Sequence, residues 1–239
     1  MLDAIKHTLS DHSSKLEFEA EGHTYSHQGI NMIPVTSMVG LFHEEFDTER
    51  VSKEYVERRG LSEDARQEVI EQWAESGRIA REQGTRVHAY AEEVFYKTNP
   101  APKDGFERAV LKFWREIPKH IVPVSAELRV FSEYYNYAGT LDNIFFDTKK
   151  RGLVITDYKT NKDIHKNFKG NKMLPPFEGL FDTPYNHYQV QLSAYQIPIE
   201  QVTGVKVIKR YVVWVKPNGT YELVATNDYT DRIRKFINF

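Results

Sequence analysis

Two aspartates and a lysine, Asp142, Asp157 and Lys159, sit in otherwise apolar stretches on either side of a short charged turn, Thr148 to Gly152. Aspartate is disfavoured inside strands, so a pair of them in adjacent strand-like runs asks for a chemical reason. With the hairpin centred between Lys149 and Lys150, facing residues have numbers that sum to 299, and Asp142 lies opposite Asp157. Directly opposed Cβ atoms stand roughly 4.5–5.5 Å apart. Two unpaired carboxylates that close repel unless one holds a proton or a cation lies between them. A divalent metal is the simpler solution, and strand period puts Lys159 on the same face as Asp157. Two oxygen ligands suit a hard ion such as Mg2+, which activates bound water and neutralises charge on a phosphate, while an ammonium orients the water or stabilises developing charge. The set suits phosphodiester hydrolysis. The bland alternative is a pair of surface carboxylates with a salt-bridged lysine.

The elements that must hold these groups are legible from pattern. Residues 16 to 35 alternate weakly, with turn signals at Glu21-Gly22 and Gln28-Gly29, and predict a hairpin; Thr36 or Ser37 then caps a short helix through Phe42. Asp47 to Lys97 is rich in Glu, Arg, Ala and Gln, with no proline and only Gly60, Gly77 and Gly84 as interruptions, so it predicts two or three helices. A loop over Thr98 to Gly105 leads to an amphipathic helix, Phe106 to His120, and then to strands over 122–131, 139–147 and 153–159. Asn161 to Pro184, with three prolines and two glycines, is irregular. Tyr185 to Gln196 reads as a helix ended by Pro198, Val205 to Ala225 as a hairpin, and Tyr229 to Phe239 as a last helix. This order predicts an α/β or α+β fold with a central mixed sheet flanked by helices. The N-terminal hairpin and helices, residues 1–75, form an elaboration on a core spanning 76–239.

Composition narrows the function classes. The 32 Lys and Arg nearly balance 34 Asp and Glu, so no global positive field marks the chain as a purely electrostatic nucleic-acid binder. One local excess exists: Lys149 to Lys172 holds eight Lys or Arg against Asp157 and Asp163, which suits contacts to phosphates or a solvated loop, and Phe168 and Phe177 are available to stack on bases. With no cysteine, disulfides, thiolate zinc sites, cysteine nucleophiles and iron–sulfur clusters are excluded. The N-terminus carries no apolar leader and the longest apolar run, Tyr211 to Val215, is too short to span a bilayer, so a soluble, cytoplasmic protein is expected.

Four short strings carry a family resemblance. GTLD at 139–142 and TDYKT at 156–160 resemble motifs II and III of the PD-(D/E)XK nuclease superfamily. QLSAY at 191–195 is similar to the Gln-x-x-x-Tyr signature of its RecB-like branch, and GTRVHAYAE at 84–92 resembles that branch's first motif. They occur in the family's order. The resemblance implies a restriction-endonuclease-like core, with His88, Asp142, Asp157 and the backbone carbonyl of Tyr158 as metal ligands and Asp142, Asp157 and Lys159 as catalytic residues. It further implies that Gln191, Tyr195 and Thr160 approach the substrate, with Glu127 positioning Lys159 or DNA. Read without it, His88 at the edge of an apolar helix face is an ordinary packed histidine, and Tyr188 an aromatic facing the sheet. The cofactor implied is Mg2+ or Mn2+, with no iron–sulfur cluster. The partner implied is single- or double-stranded DNA, alongside recombination or replication proteins. The expected function is an exonuclease that digests from DNA ends; a structure-specific endonuclease and a non-catalytic nucleic-acid-binding module are the alternatives.

Overall fold

The chain opens with a helix that pattern reading passed over. In a computed structural model describing residues 1–97 and 100–237, Leu2–Ser14 forms α1, anchored by Ile5 and Leu9 one turn apart. Three short strands follow, β1 (Glu17–Glu19), β2 (Thr24–His27) and β3 (Ile30–Pro34), as an antiparallel meander. Helix α2 (Val35–Gly40) starts directly after Pro34, with no side-chain cap from Thr36 or Ser37. The fixed φ of proline, here −58°, ends the strand without a capping hydroxyl.

Helix α3 (Thr48–Arg59) is capped by the Asp47 side chain and closed by Gly60 at φ +64°, a left-handed turn glycine adopts freely. Helix α4 (Glu63–Tyr96) then runs for 34 residues from its Ser62 cap. Gly77 and Gly84 do not break it. Each costs only about 1 kcal/mol relative to alanine, and side-chain pairs one turn apart, such as Arg78 with Glu75 and Glu82, brace the exposed face. Residue 75, the expected edge of the N-terminal elaboration, lies inside this helix. The loop expected at 98–105 and the end of the last helix fall partly on residues 98, 99, 238 and 239, outside the described ones.

Helix α5 (Gly105–Glu116) leads into the long strands β4 (Ile121–Ser132), β5 (Tyr137–Asp147) and β6 (Gly152–Lys159). After the irregular segment come α6 (Pro184–Thr203), β7 (Val207–Val215), β8 (Tyr221–Ala225) and α7 (Thr230–Ile237). Pro198 does not end α6 but lies inside it. A proline there leaves the carbonyl four residues earlier without its helical donor. The Tyr137 hydroxyl donates to that carbonyl, Ala194 O, at 2.8 Å.

The described strands form one mixed sheet in the order β1-β2-β3-β5-β6-β7-β8, with β4 on the other edge of β5. β3 runs parallel to β5 and β6 parallel to β7; the remaining pairs are antiparallel. One apolar layer, including Leu9, Met38, Val190 and Ile233, lies between the sheet and α1, α2, α6 and α7. A second, including Val87, Ala91, Val110 and Phe113, lies beneath α4 and α5 on the opposite face. The fold is thus a mixed α/β sandwich with helices on both faces of the sheet.

Candidate active site

The β5–β6 ladder pairs Asn143 with Thr156 and Ile144 with Ile155, the register expected from the turn. One step further, where Asp142 and Asp157 follow, the two strands part. β6 continues beside β7, and the same edge of β5 is taken up by β3 at Tyr137 and Ala138. The gap in the ladder is filled by a side chain: Asp142 Oδ2 accepts from Tyr158 N at 2.5 Å. On the other edge of β5, Ala126 pairs with Asn143 and Leu128 with Leu141, which sets Glu127 across from Asp142. Three carboxylates therefore stand in a row on β4, β5 and β6.

Helix α4 brings the imidazole. Val87, Tyr90 and Ala91 are buried against the sheet, and His88 beside them directs Nδ1 to Asp142 Oδ1 at 3.0 Å and toward Glu127 Oε1 at 3.6 Å. Glu127 holds this place with φ at +46°, a left-handed backbone that costs a non-glycine residue on the order of 1 kcal/mol or more. Gly84, one turn before His88, makes no close approach; a methyl group there would meet only open space. Glu92, one turn after, is exposed.

Lys159 completes the cluster. Its ammonium contacts Asp157 Oδ2 and lies 4.7 Å from the centroid of the Tyr188 ring, whose hydroxyl donates to Asn161 Oδ1 at 2.6 Å. Tyr188 is thus part of the lysine's surroundings and not only of the packing against the sheet. Its signal in the sequence was faint: an aromatic three residues before Gln191, indistinguishable from a core contact. Gln191 Nε2 donates to the Tyr195 hydroxyl at 3.2 Å. Tyr195 itself is 2% exposed and forms the floor beneath the carboxylates. Gly139 makes room for it, since a Cβ there would lie 2.7 Å from Tyr195 Cε1. Thr160 lies partly exposed at the exit of β6. For Tyr158, the amide is the group that reaches Asp142.

The charges are strongly interdependent. Burial opposes a proton on His88, but the adjacent Asp142 charge and the hydrogen bonds to Asp142 and Glu127 together outweigh it and push the imidazole up to about 10. Burial would raise Asp142, yet the His88 cation, Lys159 and the Tyr158 amide hold it below the usual carboxylate range. Asp157 goes the other way, raised by burial and by the neighbouring Asp142 charge against the opposing pull of Lys159. Burial also raises Glu127. Lys159 is raised despite its burial, because Asp157 and Asp142 favour the ammonium. Three carboxylates face two cations, so burial and this excess of negative charge together raise the proton affinity of Asp157 and Glu127.

The donor set fits a divalent cation. Ligand atoms of His88, Glu127 and Asp142 all lie within 4.8 Å of one another. Asp157 Oδ2 is buried and receives no well-directed hydrogen bond, despite its contact with Lys159. The arrangement differs from the expected ligand set in one respect: Glu127, expected near Lys159 or the substrate, faces His88, while Asp157 is turned toward Lys159.

The basic run divides. Lys149, Lys150 and Arg151 occupy the β5–β6 turn, with the first two amides bonded to Asp147 Oδ1. At ~3.3 Å per residue that turn is about 15–20 Å from the carboxylates. On the irregular segment, Lys169 pairs with Glu54 of α3 and Lys172 sits over the Phe181 ring. Phe168 is exposed, whereas Phe177 is wholly buried between Phe42 and Tyr229 and is not available for stacking.

The chain resembles known proteins distantly. Over 160 residues, 64% of this chain, it is 27% identical to a subunit of the ATP-dependent helicase/nuclease of a Thermoanaerobacter species, and equally to its counterpart in Thermoanaerobacter pseudethanolicus. The chain spans only 12% of the length of those relatives. No family model matches it. A crystal structure from Eubacterium rectale, of a protein provisionally assigned as an exonuclease, superposes with a TM-score of 0.34 at 15% identity, over 85% of this chain and 68% of that one. The kinship is with a component of a helicase/nuclease. No helix among the described residues is long and apolar enough to cross a membrane.

Proposed function

We propose that the chain is a divalent-metal-dependent nuclease that hydrolyses phosphodiester bonds of DNA. The observation that carries this reading is the row Glu127, Asp142 and Asp157 on three neighbouring strands, with His88 on one side and Lys159 on the other. His88, Glu127 and Asp142 would hold Mg2+ or Mn2+, with Asp157 as a further carboxylate. An imidazole among the ligands makes Mn2+ at least as suitable as Mg2+. Such an ion, when bound, supplies Lewis-acid charge at the phosphate and lowers the pKa of water.

The chain's own groups account for the rest. Lys159, kept cationic and confined between Asp157 and the Tyr188 ring, offers N–H donors to a non-bridging phosphate oxygen or to the attacking water. Asp157, whose buried Oδ2 lies against Lys159, is placed to accept a hydrogen bond from that water and orient it. Tyr195 and Gly139 fix α6 beneath the strands, so Gln191 borders the site from below. Digestion from DNA ends is the finer part of the reading. It rests on the four motifs in RecB-like order, as does a role beside recombination or replication proteins.

Purified protein tested on end-labelled linear DNA and on closed circles, with Mg2+ or Mn2+, should degrade the linear form alone. Lys159→Ala should abolish cleavage while Mn2+ binding persists. Cutting of circles would replace the exonuclease reading with an endonuclease. An active K159A protein, or DNA binding without cleavage by the unmodified chain, would overturn the catalytic assignment.

A further inference from the structure

Away from the carboxylate row, three metal-binding side chains from separate parts of the chain converge. His43 follows α2, Asp182 ends the irregular segment, and His187 lies in the first turn of α6. One ligand atom of each lies within 4.8 Å of the others. The two imidazoles stack with centroids 4.3 Å apart and planes 15° from parallel. His187 Nε2 and Asp182 Oδ1 are 2.7 Å apart. We propose that His43, Asp182 and His187 form a second metal site, distinct from the carboxylate row, which takes a divalent transition ion such as Zn2+ or Co2+ in preference to Mg2+.

Three features support this. First, His43 Nδ1 lies 3.1 Å from the Glu44 carbonyl, which can only accept; the proton is therefore on Nδ1, and Nε2 carries the lone pair that a metal needs. Second, two imidazoles and one carboxylate are the ligand set that borderline ions occupy facially, leaving positions open for water, whereas Mg2+ favours oxygen donors. The hydrogen that now joins His187 to Asp182 is the one a cation replaces, by a shift of the imidazole proton to Nδ1. Third, the site opens on a cleft of about 650 Å³ between the α2–α3 connection and the irregular segment. Its described lining carries five carboxylates, Asp182 included, against three Lys or Arg. The local charge therefore favours a cation.

The site also has a structural consequence. The irregular segment is tied to the end of α2 by Leu174 N donating to Phe42 O at 2.7 Å and by Phe177 against Phe42. An ion held by His43, Asp182 and His187 would cross-link the end of α2, the irregular segment and the start of α6 at their partly exposed edge, alongside the histidine stack, the Asp182–His187 pair and the bond from Asn186 Nδ2 to Phe181 O. Such a site would stand whether or not the chain cuts DNA.

Equilibrium dialysis of tag-free full-length protein against Co2+, with Mg2+ in excess, tests it. His43→Gln and His187→Gln should each bind one equivalent fewer than the unmodified chain, as should the double variant. His88→Gln should keep the equivalent that those variants lose. In His88→Gln protein, Co2+ should also slow proteolysis within residues 161–184 by about tenfold, a readout that requires no folded His43 or His187 variant. Unchanged stoichiometry in H43Q and H187Q, or no protection of the segment by Co2+, would overturn the second site.

Discussion

Tyr137→Phe removes a single oxygen from the core, and the structure specifies what that oxygen does. Inside α6, Pro198 has no N–H to give to Ala194, and the Tyr137 hydroxyl supplies the missing donor across the layer between sheet and helix. Tyr137 is 1% exposed, so water cannot take over the bond without opening the core. Leaving a buried carbonyl without a partner costs about 1–3 kcal/mol. For a chain of this size each kcal/mol lowers Tm by about 2–4 °C, so the variant should melt roughly 2–12 °C lower. The decisive measurement is a double-mutant cycle by urea or thermal unfolding. Pro198→Ala restores an N–H opposite Ala194 O, and in that background Tyr137→Phe should cost no more than about 1 kcal/mol, the worth of an ordinary hydrogen bond. Additive effects of the two substitutions would refute the argument that the tyrosine serves the proline. The bond joins β5, which carries Asp142, to α6, which carries Gln191 and Tyr195, so it bears on the geometry of the site as well as on stability.

Two further outcomes are expected. His88 is held protonated up to about 10 by Asp142; a folded-state value above the unfolded ~6.5 means the pair's contribution is full below that pH and is lost as pH rises through about 10. A cation on His88 must displace this proton, so Mn2+ affinity should rise about tenfold per pH unit between those limits, with proton release seen calorimetrically in buffers of different ionisation heat. Affinity independent of pH would remove His88 from the ligands. Gly139→Ala places a methyl 2.7 Å from the buried Tyr195 ring and should destabilise by about 1–3 kcal/mol; an unchanged urea midpoint would show that the ring is not packed as described.

Much of the site was legible because its geometry is local. The Thr148–Gly152 turn fixes the register of one hairpin and period two puts Lys159 on the face of Asp157, both readable by counting; that the strands part just beyond Asn143 and Thr156, so that Asp142 and Asp157 are not a ladder pair, is not. The helix break expected at Pro198 failed for the opposite reason. Its rescue comes from Tyr137, far away in sequence, and no pattern within α6 announces it. The two or three helices expected over 47–97 are two, divided at Gly60; Gly77 and Gly84 add no break because the penalty of a glycine is small against a helix braced by ion pairs. α1 was missed because so few apolar anchors suffice once β4 and α6 supply the surface they pack on.

Read as a linear string, the chain already carries the hairpin, the identities of its acidic and basic groups, the lack of any thiol and the alternation that predicts a mixed sheet. How those groups are shared emerges in three dimensions. Folding sets Glu127 beside His88, because β4 pairs with β5 next to Asp142 and α4 packs on that face of the sheet, which joins residues 39 positions apart by number. It gives Lys159 a tyrosine face, buries Phe177, and splits a contiguous basic run between the two ends of a hairpin, because strand length separates in space what is adjacent in sequence. The two aspartates can be read from a turn; the surroundings that set their proton affinities exist only when three strands and two helices meet.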